Sequence, residues 1–348
     1  MKAILFCINP YAFGILKPLH DELCKQANEV LWYIPQHLQS AFPFGNEARI
    51  TGTIKDLSDF KSDAIFVPGN EVPHYLRGVK VQVFHGLAGE KKGHFRIRNY
   101  FDLYLTQGPY FTKRFQELSD KYKDFEVAET GWCKLDTLYQ NHNLLKAERD
   151  KLLVEHGKKN LVLFAPTFSP ALTCSVKAKE EIFKIADHED VFLLIKFHDL
   201  MNPQVADEYK ELADLRNNVQ VVTDKNILKY MIMSDFMISD TSSVVYEFIL
   251  LNKPVITIDS HSENINWCNI PNHLNLYEVF NREIKDDNYK SARQNTIDKY
   301  HPHTDGNSSA RMIAAVESYI ERNGIPEKRK INIYRRYRMN KMFGNKPQ

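Results

Sequence analysis

Residues 235–260 read DFMISDTSSVVYEFILLNKPVITIDS: a short apolar run, a hydroxyl-rich turn, a helical pattern and a second short apolar run. Strand-length runs that are apolar on both faces suit the interior of a parallel sheet, and the amphipathic stretch between them suits a crossover helix. The same rhythm holds upstream in NLVLFAPT (160–167), VFLLIKFH (191–198) and VQVVTD (219–224), with the helical stretch KAKEEIFKIADH among them. It holds again in the first part of the chain, in AILFCIN, EVLWYIP, DAIFVPG, KVQVF and FDLYLTQ, with LKPLHDELCKQA and PYFTKRFQELSDKY as intervening helices.

A polar, charged stretch over 141–159 separates the two series. The expected fold is α/β: two doubly wound, Rossmann-like domains facing a cleft, the glycosyltransferase-B type. The expected domains are a first β/α domain over 1–150, a second β/α domain over 151–324 and a basic tail over 325–348. The helix SSARMIAAVESYIERNG, closed by Gly324 and Pro326, ends the second domain and is expected to pack back on the first.

The chain has 348 residues, 43% hydrophobic and 26% charged, which excludes a disordered chain or a membrane-spanning bundle. Its five cysteines show no ligand or disulfide spacing, so neither a zinc site nor a disulfide framework is expected, and a reducing cytoplasm fits. The opening MKAILFCINP is too short for a secretion signal. Residues 325–348 carry eight Lys/Arg against one Glu, a balance of +7 in a chain of +2, which leaves the remainder at −5. Basic residues alternating with tyrosines and aliphatics suit an anionic membrane surface, although these apolar positions do not gather on one helical face. Nucleic acid is not an expected partner, since the body is acidic and lacks a matching basic stripe.

Polar residues cluster where the strands of the second series end. Thr167 follows LVLFAP, Lys196 and His198 end VFLLIKFH, and Asp240, Thr241, Ser242 and Ser243 lead into the next helix, with Glu247 one turn further on. A helix opening on hydroxyl residues offers N–H and O–H donors to a phosphate, and Lys196 offers a counter-charge. Asp-Thr-Ser-Ser equally suits an ordinary N-cap. In the first series, VFHGLAGEKKGHFRIR (83–98) puts His85 and Gly86 directly after a strand, followed by Lys91, Lys92, His94, Arg96 and Arg98. An imidazole there suits proton removal from a hydroxyl, and the basic residues suit an anionic acceptor; a half-buried histidine in a solvated basic loop is the plainer alternative.

Taken in order, FHGLAGEKKGHF, TGWCKLDTLY, LFAPTFSPA, IKFHDLMNP, ISDTSSVVYEFILLNKPVITID and DGNSSARM resemble the CDP-glycerol glycerophosphotransferase family of teichoic acid primases and polymerases. The resemblance implies a bacterial enzyme that transfers a polyol phosphate, glycerol phosphate first, from a CDP-activated donor to a hydroxyl of a lipid-linked or glycan acceptor, releasing CMP. It makes His85 the catalytic base and His198 the second catalytic histidine, beside the donor phosphates. Thr167, Ser242 and Ser243 then hold the pyrophosphate, Glu247 the ribose, and Asp305 and Gly306 begin the closing helix. No metal and no cofactor are expected, and the place of action is the inner face of the cell membrane. The chain departs from the family pattern at Phe168-Ser169-Pro170, at Lys196-Phe197 before His198, at Thr241 and at Trp132-Cys133-Lys134, so another CDP-polyol such as CDP-ribitol stays open. A nucleotide-sugar glycosyltransferase of the same fold and a non-catalytic membrane-surface protein are the alternative functions.

Overall fold

The computed structural model describes residues 1–45, 47–87, 94–140, 142–224, 227–262, 265–327, 329 and 331–347. The chain divides into two compact units, one formed by 1–139 with 299–348 and the other by 140–298.

The first unit contains β1 (Lys2–Phe6), β2 (Glu29–Tyr33), β3 (Ile50–Thr51), β4 (Ala64–Val67), β5 (Val79–Gln82), β6 (Leu103–Thr106) and β7 (Glu126–Glu129). They pair in parallel in the order β3-β2-β1-β4-β5-β6-β7. The second unit contains β8 (Asn160–Phe164), β9 (Val191–Ile195), β10 (Val219–Val221), β11 (Phe236–Ser239), β12 (Val255–Ile258) and β13 (Cys268–Ile270). Its order is β10-β9-β8-β11-β12-β13, again parallel. Both units are doubly wound α/β folds. The order reverses between β1 and β4 in one and between β8 and β11 in the other, and the crevice at such a reversal is where ligands of open parallel sheets bind.

The continuous apolar runs have a direct cause in the second unit. Val162, Phe164, Leu193, Ile195, Ile238 and Ile256 enter one core, while Leu161, Leu163, Phe192, Leu194, Met237 and Val255 enter another. Side chains of a strand alternate between faces, so a sheet covered on both sides asks for an apolar residue at every position.

The division falls at Tyr139 and not at residue 150, and the chain from 299 onward belongs to the first unit. Four side chains hold that return. His301 is fully buried and its Nε2 accepts from Trp132 N at 2.9 Å. Both oxygens of Asp136 accept from the opening amides of helix Ser308–Asn323, Ser308 N at 2.9 Å and Ser309 N at 2.7 Å. Asp305 pairs with Arg311 at 2.8 Å, and the Arg311 Nε donates to Thr130 O at 2.8 Å. Gly131, at φ +81°, is needed because a Cβ there would run into Ser308.

The expected separate tail is also part of this unit. The Arg329 guanidinium donates to both oxygens of Asp102, at 3.0 and 3.1 Å through Nε, and to Gly78 O at 2.7 Å. Both side chains of that pair are more than nine-tenths buried. Asn332 then caps a helix over Ile333–Phe343, accepting from Arg335 N at 2.9 Å. Met339 is fully buried, Phe343 meets the Phe6 ring at 5.5 Å, Arg338 pairs with Glu71, and Tyr75 Oη donates to Gly344 O at 2.9 Å. Apolar periodicity misses this helix because its inward face is Arg335, Met339 and Phe343. The arginine is held by hydrogen bonds, donating to Ile97 O at 3.0 Å.

A buried carboxylate stripped of its guanidinium keeps its desolvation cost without its partner, so Arg329→Met is expected to lose about 3 kcal/mol or more. Urea unfolding measures this; an unchanged midpoint would show that the 325–348 segment contributes nothing to the fold.

Candidate functional site

In the first unit the site grows from the carboxyl ends of β1, β4, β5 and β6. Beyond β5, Phe84 adopts a left-handed backbone (φ +60°) although it is not glycine, a conformation that costs about 1–3 kcal/mol. Its ring repays this inside an aromatic cluster, 5.1 Å from Phe115 and stacked on His94 at 5.3 Å. The reversal leaves His85 exposed, beside the Tyr11 ring at 5.3 Å.

The His85 Nδ1 lies 3.0 Å from Pro68 O, the residue that follows β4. A carbonyl oxygen only accepts, so Nδ1 carries the hydrogen and Nε2 presents its lone pair. Gln82, buried in β5, donates to the same carbonyl at 3.2 Å, and Gln107, buried beyond β6, donates to Gly86 O at 3.2 Å. These glutamines brace the histidine from either side. Neither was singled out from the sequence, since a buried Gln at the end of a strand or just past it looks like any other polar interruption.

Part of the expected anion-receiving loop lies among the described residues. His94 stacks among aromatic rings with its Nε2 buried and unpartnered, and burial pushes its imidazole down to about 4. It anchors the loop and is unsuited to bind an anion. Arg98 is half-buried and donates to Arg96 O at 3.1 Å; Arg96 is exposed. Lys91 and Lys92 lie outside the described residues.

In the second unit the polar residues gather at the reversal between β8 and β11. Asp240 directly follows β11 and is fully buried. Its oxygens accept from Thr167 N at 2.8 Å and Cys174 N at 2.9 Å, and burial pushes its carboxyl up against the pull of those bonds. Asp240 is therefore no phosphate contact; it pins the loop after β8 and so places Thr167, which is half-buried. Thr241 Oγ1 accepts from His261 N at 3.0 Å, which leaves its O–H to donate.

Ser242 and Ser243 are different. Helix Val244–Ile249 has only six residues and Ser243 makes no capping bond, so the N-cap reading is not realised and the helix dipole is small. Among the described residues neither hydroxyl has a partner. Glu247 lies half-buried one turn beyond them.

Beyond β9, Lys196 is buried with its Nζ on Phe197 O at 2.6 Å, so it reaches a ligand only by giving up that bond. His198 is exposed, packed on the Phe168 ring at 4.4 Å, and its Nδ1 accepts from Leu200 N at 3.1 Å. A backbone N–H only donates, so here Nδ1 holds the lone pair and Nε2 presents the hydrogen. His85 and His198 are thus held in opposite tautomers by backbone groups, one as proton acceptor and one as donor.

Comparison with known proteins bears on these residues. A family model described as CDP-Glycerol:Poly(glycerophosphate) glycerophosphotransferase matches residues 78–264, more than half of the chain and spanning His85, His198 and the Ser242–Ser243 pair. The teichoic acid glycerol-phosphate primase of Bacillus subtilis is 24% identical over 229 residues, 62% of this chain and 58% of that protein. The teichoic acid ribitol-phosphate polymerase TarL of Staphylococcus aureus is 25% identical over 56% of this chain and 39% of its own length. The chain thus spans about half the length of the curated relatives it matches. A solved structure of the wall teichoic acid polymerase TagF superposes with a TM-score of 0.62 at 16% identity, covering 92% of this chain and 90% of that one. A UDP-GlcNAc 2-epimerase from Neisseria meningitidis superposes with a TM-score of 0.66 at 15% identity, covering 91% and 100%. At those identities the likeness is one of fold. On the family match and the motifs it spans, the chain belongs to the CDP-glycerol:poly(glycerophosphate) glycerophosphotransferase family.

Proposed function

We propose that this chain transfers a polyol phosphate, glycerol phosphate in the first instance, from a CDP-activated donor to an acceptor hydroxyl in bacterial cell-surface polymer synthesis. The observation that carries this reading is the opposed setting of the two histidines. His85 offers a lone pair at Nε2, suited to take the proton of an attacking hydroxyl; His198 offers an N–H at Nε2, suited to a phosphate oxygen. The acceptor oxygen bonds to the β-phosphorus, the bond from that phosphorus to the bridging oxygen breaks, CMP leaves with the bridging oxygen, and the acceptor proton passes to His85.

The second unit is the donor side of this scheme. The free hydroxyls of Ser242 and Ser243, with Thr167 held by Asp240, suit the pyrophosphate, and Glu247 suits the ribose hydroxyls. Lys196 joins them once its bond to Phe197 O is exchanged for a phosphate oxygen. Phosphoryl transfer depends chiefly on position and charge stabilisation, which suits residues held by backbone bonds.

The helix over Ile333–Phe343 suits the membrane face at which a lipid-linked acceptor is presented. Ile333, Tyr334 and Tyr337 are well exposed, with Arg336 and Lys341 among them. Basic groups near an anionic leaflet contribute about 1 kcal/mol each, and aromatics favour the headgroup region. We place the protein at the cytoplasmic face of the membrane on this ground. Among the described residues no helix is long and apolar enough to cross it.

Three outcomes are expected. His85→Ala lowers CMP release from CDP-glycerol by ~10²–10⁴ with donor affinity unchanged; near-normal turnover sinks its role as base. Calorimetry with CDP-glycerol shows weaker binding for Ser242→Ala with Ser243→Ala at an unchanged melting temperature, whereas unchanged affinity removes the pair from the donor site. Replacing Tyr334 and Tyr337 by Ser and Arg336 by Gln, all on the outward face, reduces salt-sensitive co-sedimentation with anionic vesicles. Equal partitioning of variant and native chain removes the membrane role.

A further inference from the structure

One cluster of titratable side chains lies outside the site above. At the end of β7, Glu129 accepts from Thr112 Oγ1 at 2.6 Å through Oε2, and its Oε1 lies 3.1 Å from His303 Nε2. Thr112 is itself bonded to Thr106 at 2.7 Å, the last residue of β6 and fully buried. The carboxylate is therefore held on both oxygens. A carboxylate only accepts, so His303 carries its hydrogen on Nε2 and presents a lone pair at Nδ1. His303 is half-buried, and that Nδ1 has no partner among the described residues.

Anchoring alone does not account for the arrangement. The segment around His303 is already fixed by His301 on Trp132 N, Asp136 on the Ser308 and Ser309 amides, and Arg311 on Thr130 O. The dyad adds an oriented imidazole whose outer nitrogen is unused, on the carboxyl edge of the same sheet that carries His85. β5 and β7 are separated by β6, so two strand spacings of about 4.8 Å set their ends about 10 Å apart. His85 and His303 share one logic, an inner nitrogen pinned by an acceptor and an outer nitrogen left to accept.

We propose that the Glu129–His303 dyad is a second binding site for the acceptor, taking a hydroxyl of a polyol-phosphate chain at a unit removed from the reacting one. This rests on the glycerol-phosphate transfer proposed above. A hydroxyl fits better than a phosphate oxygen, because the lone pair of Nδ1 and the carboxylate behind the ring both disfavour an anion and both favour an O–H donor.

The test is calorimetric titration of the full chain with synthetic tri(glycerol phosphate), without donor, comparing native protein with His303→Leu. Leucine has neither ring nitrogen, Glu129 keeps its bond from Thr112, and the melting temperature reads a purely structural role separately from binding. Dissociation constants about five- to tenfold weaker in the variant, at an unchanged melting temperature, are expected for loss of one hydrogen bond. In the native chain the His303 imidazole nitrogen resonances shift as the probe is added. Equal affinities, unmoved resonances or no binding by the native chain would overturn the site. CMP release from CDP-glycerol is measured in parallel: turnover with equal affinities discards the dyad and keeps the transfer, while a lost affinity without turnover keeps the dyad and discards the transfer.

Discussion

The carbonyl of Pro68 has no proton to give, and the chemistry of the first unit follows from that. Placed at the end of β4 and receiving bonds from both Gln82 and His85, it obliges the imidazole to hold its hydrogen inward and its lone pair outward. The arrangement requires β4 and β5 to be parallel neighbours, with Val67 and Gln82 in register and Val83 N bonded to Val67 O at 3.0 Å, so that the loops beyond them leave on the same edge. It also requires the left-handed turn at Phe84, stabilised by aromatic packing. In the second unit the amide of Leu200 imposes the opposite choice on His198. Backbone groups make these settings without the side-chain entropy that a charged partner would bring.

Buried carboxylates do the architectural work around these histidines. Asp240 ties the loop after β8 through two amides, Asp136 caps the helix over Ser308–Asn323, and Asp102 holds the segment that carries the last helix through Arg329. Each joins segments far apart in sequence and each spends its oxygens on protein donors. That is why an aspartate beside a binding loop need not touch what the loop binds.

The central strands were legible because burial on both faces leaves an uninterrupted apolar run. β3, β7 and β13 were not; they are short outer strands, and β7, Glu-Val-Ala-Glu, is only half-buried throughout. His85, His198 and the serine pair stood out because they follow strands directly. Asp240 stood out for the same reason, yet its oxygens are occupied by the Thr167 and Cys174 amides. Partners that are backbone groups, such as Pro68 O and Leu200 N, leave no residue-type signal, and Glu129 and His303 meet across 174 positions. The last helix was hidden because its inward face is carried by arginine hydrogen bonds as much as by apolar contact.

The proposed transfer depends on the opposed tautomers of His85 and His198, and nitrogen NMR of the labelled imidazoles reads them directly. At a pH where both rings are neutral, the one-bond N–H coupling is predicted at Nδ1 of His85 and at Nε2 of His198. The same tautomer at both residues would contradict the division into proton acceptor and phosphate donor.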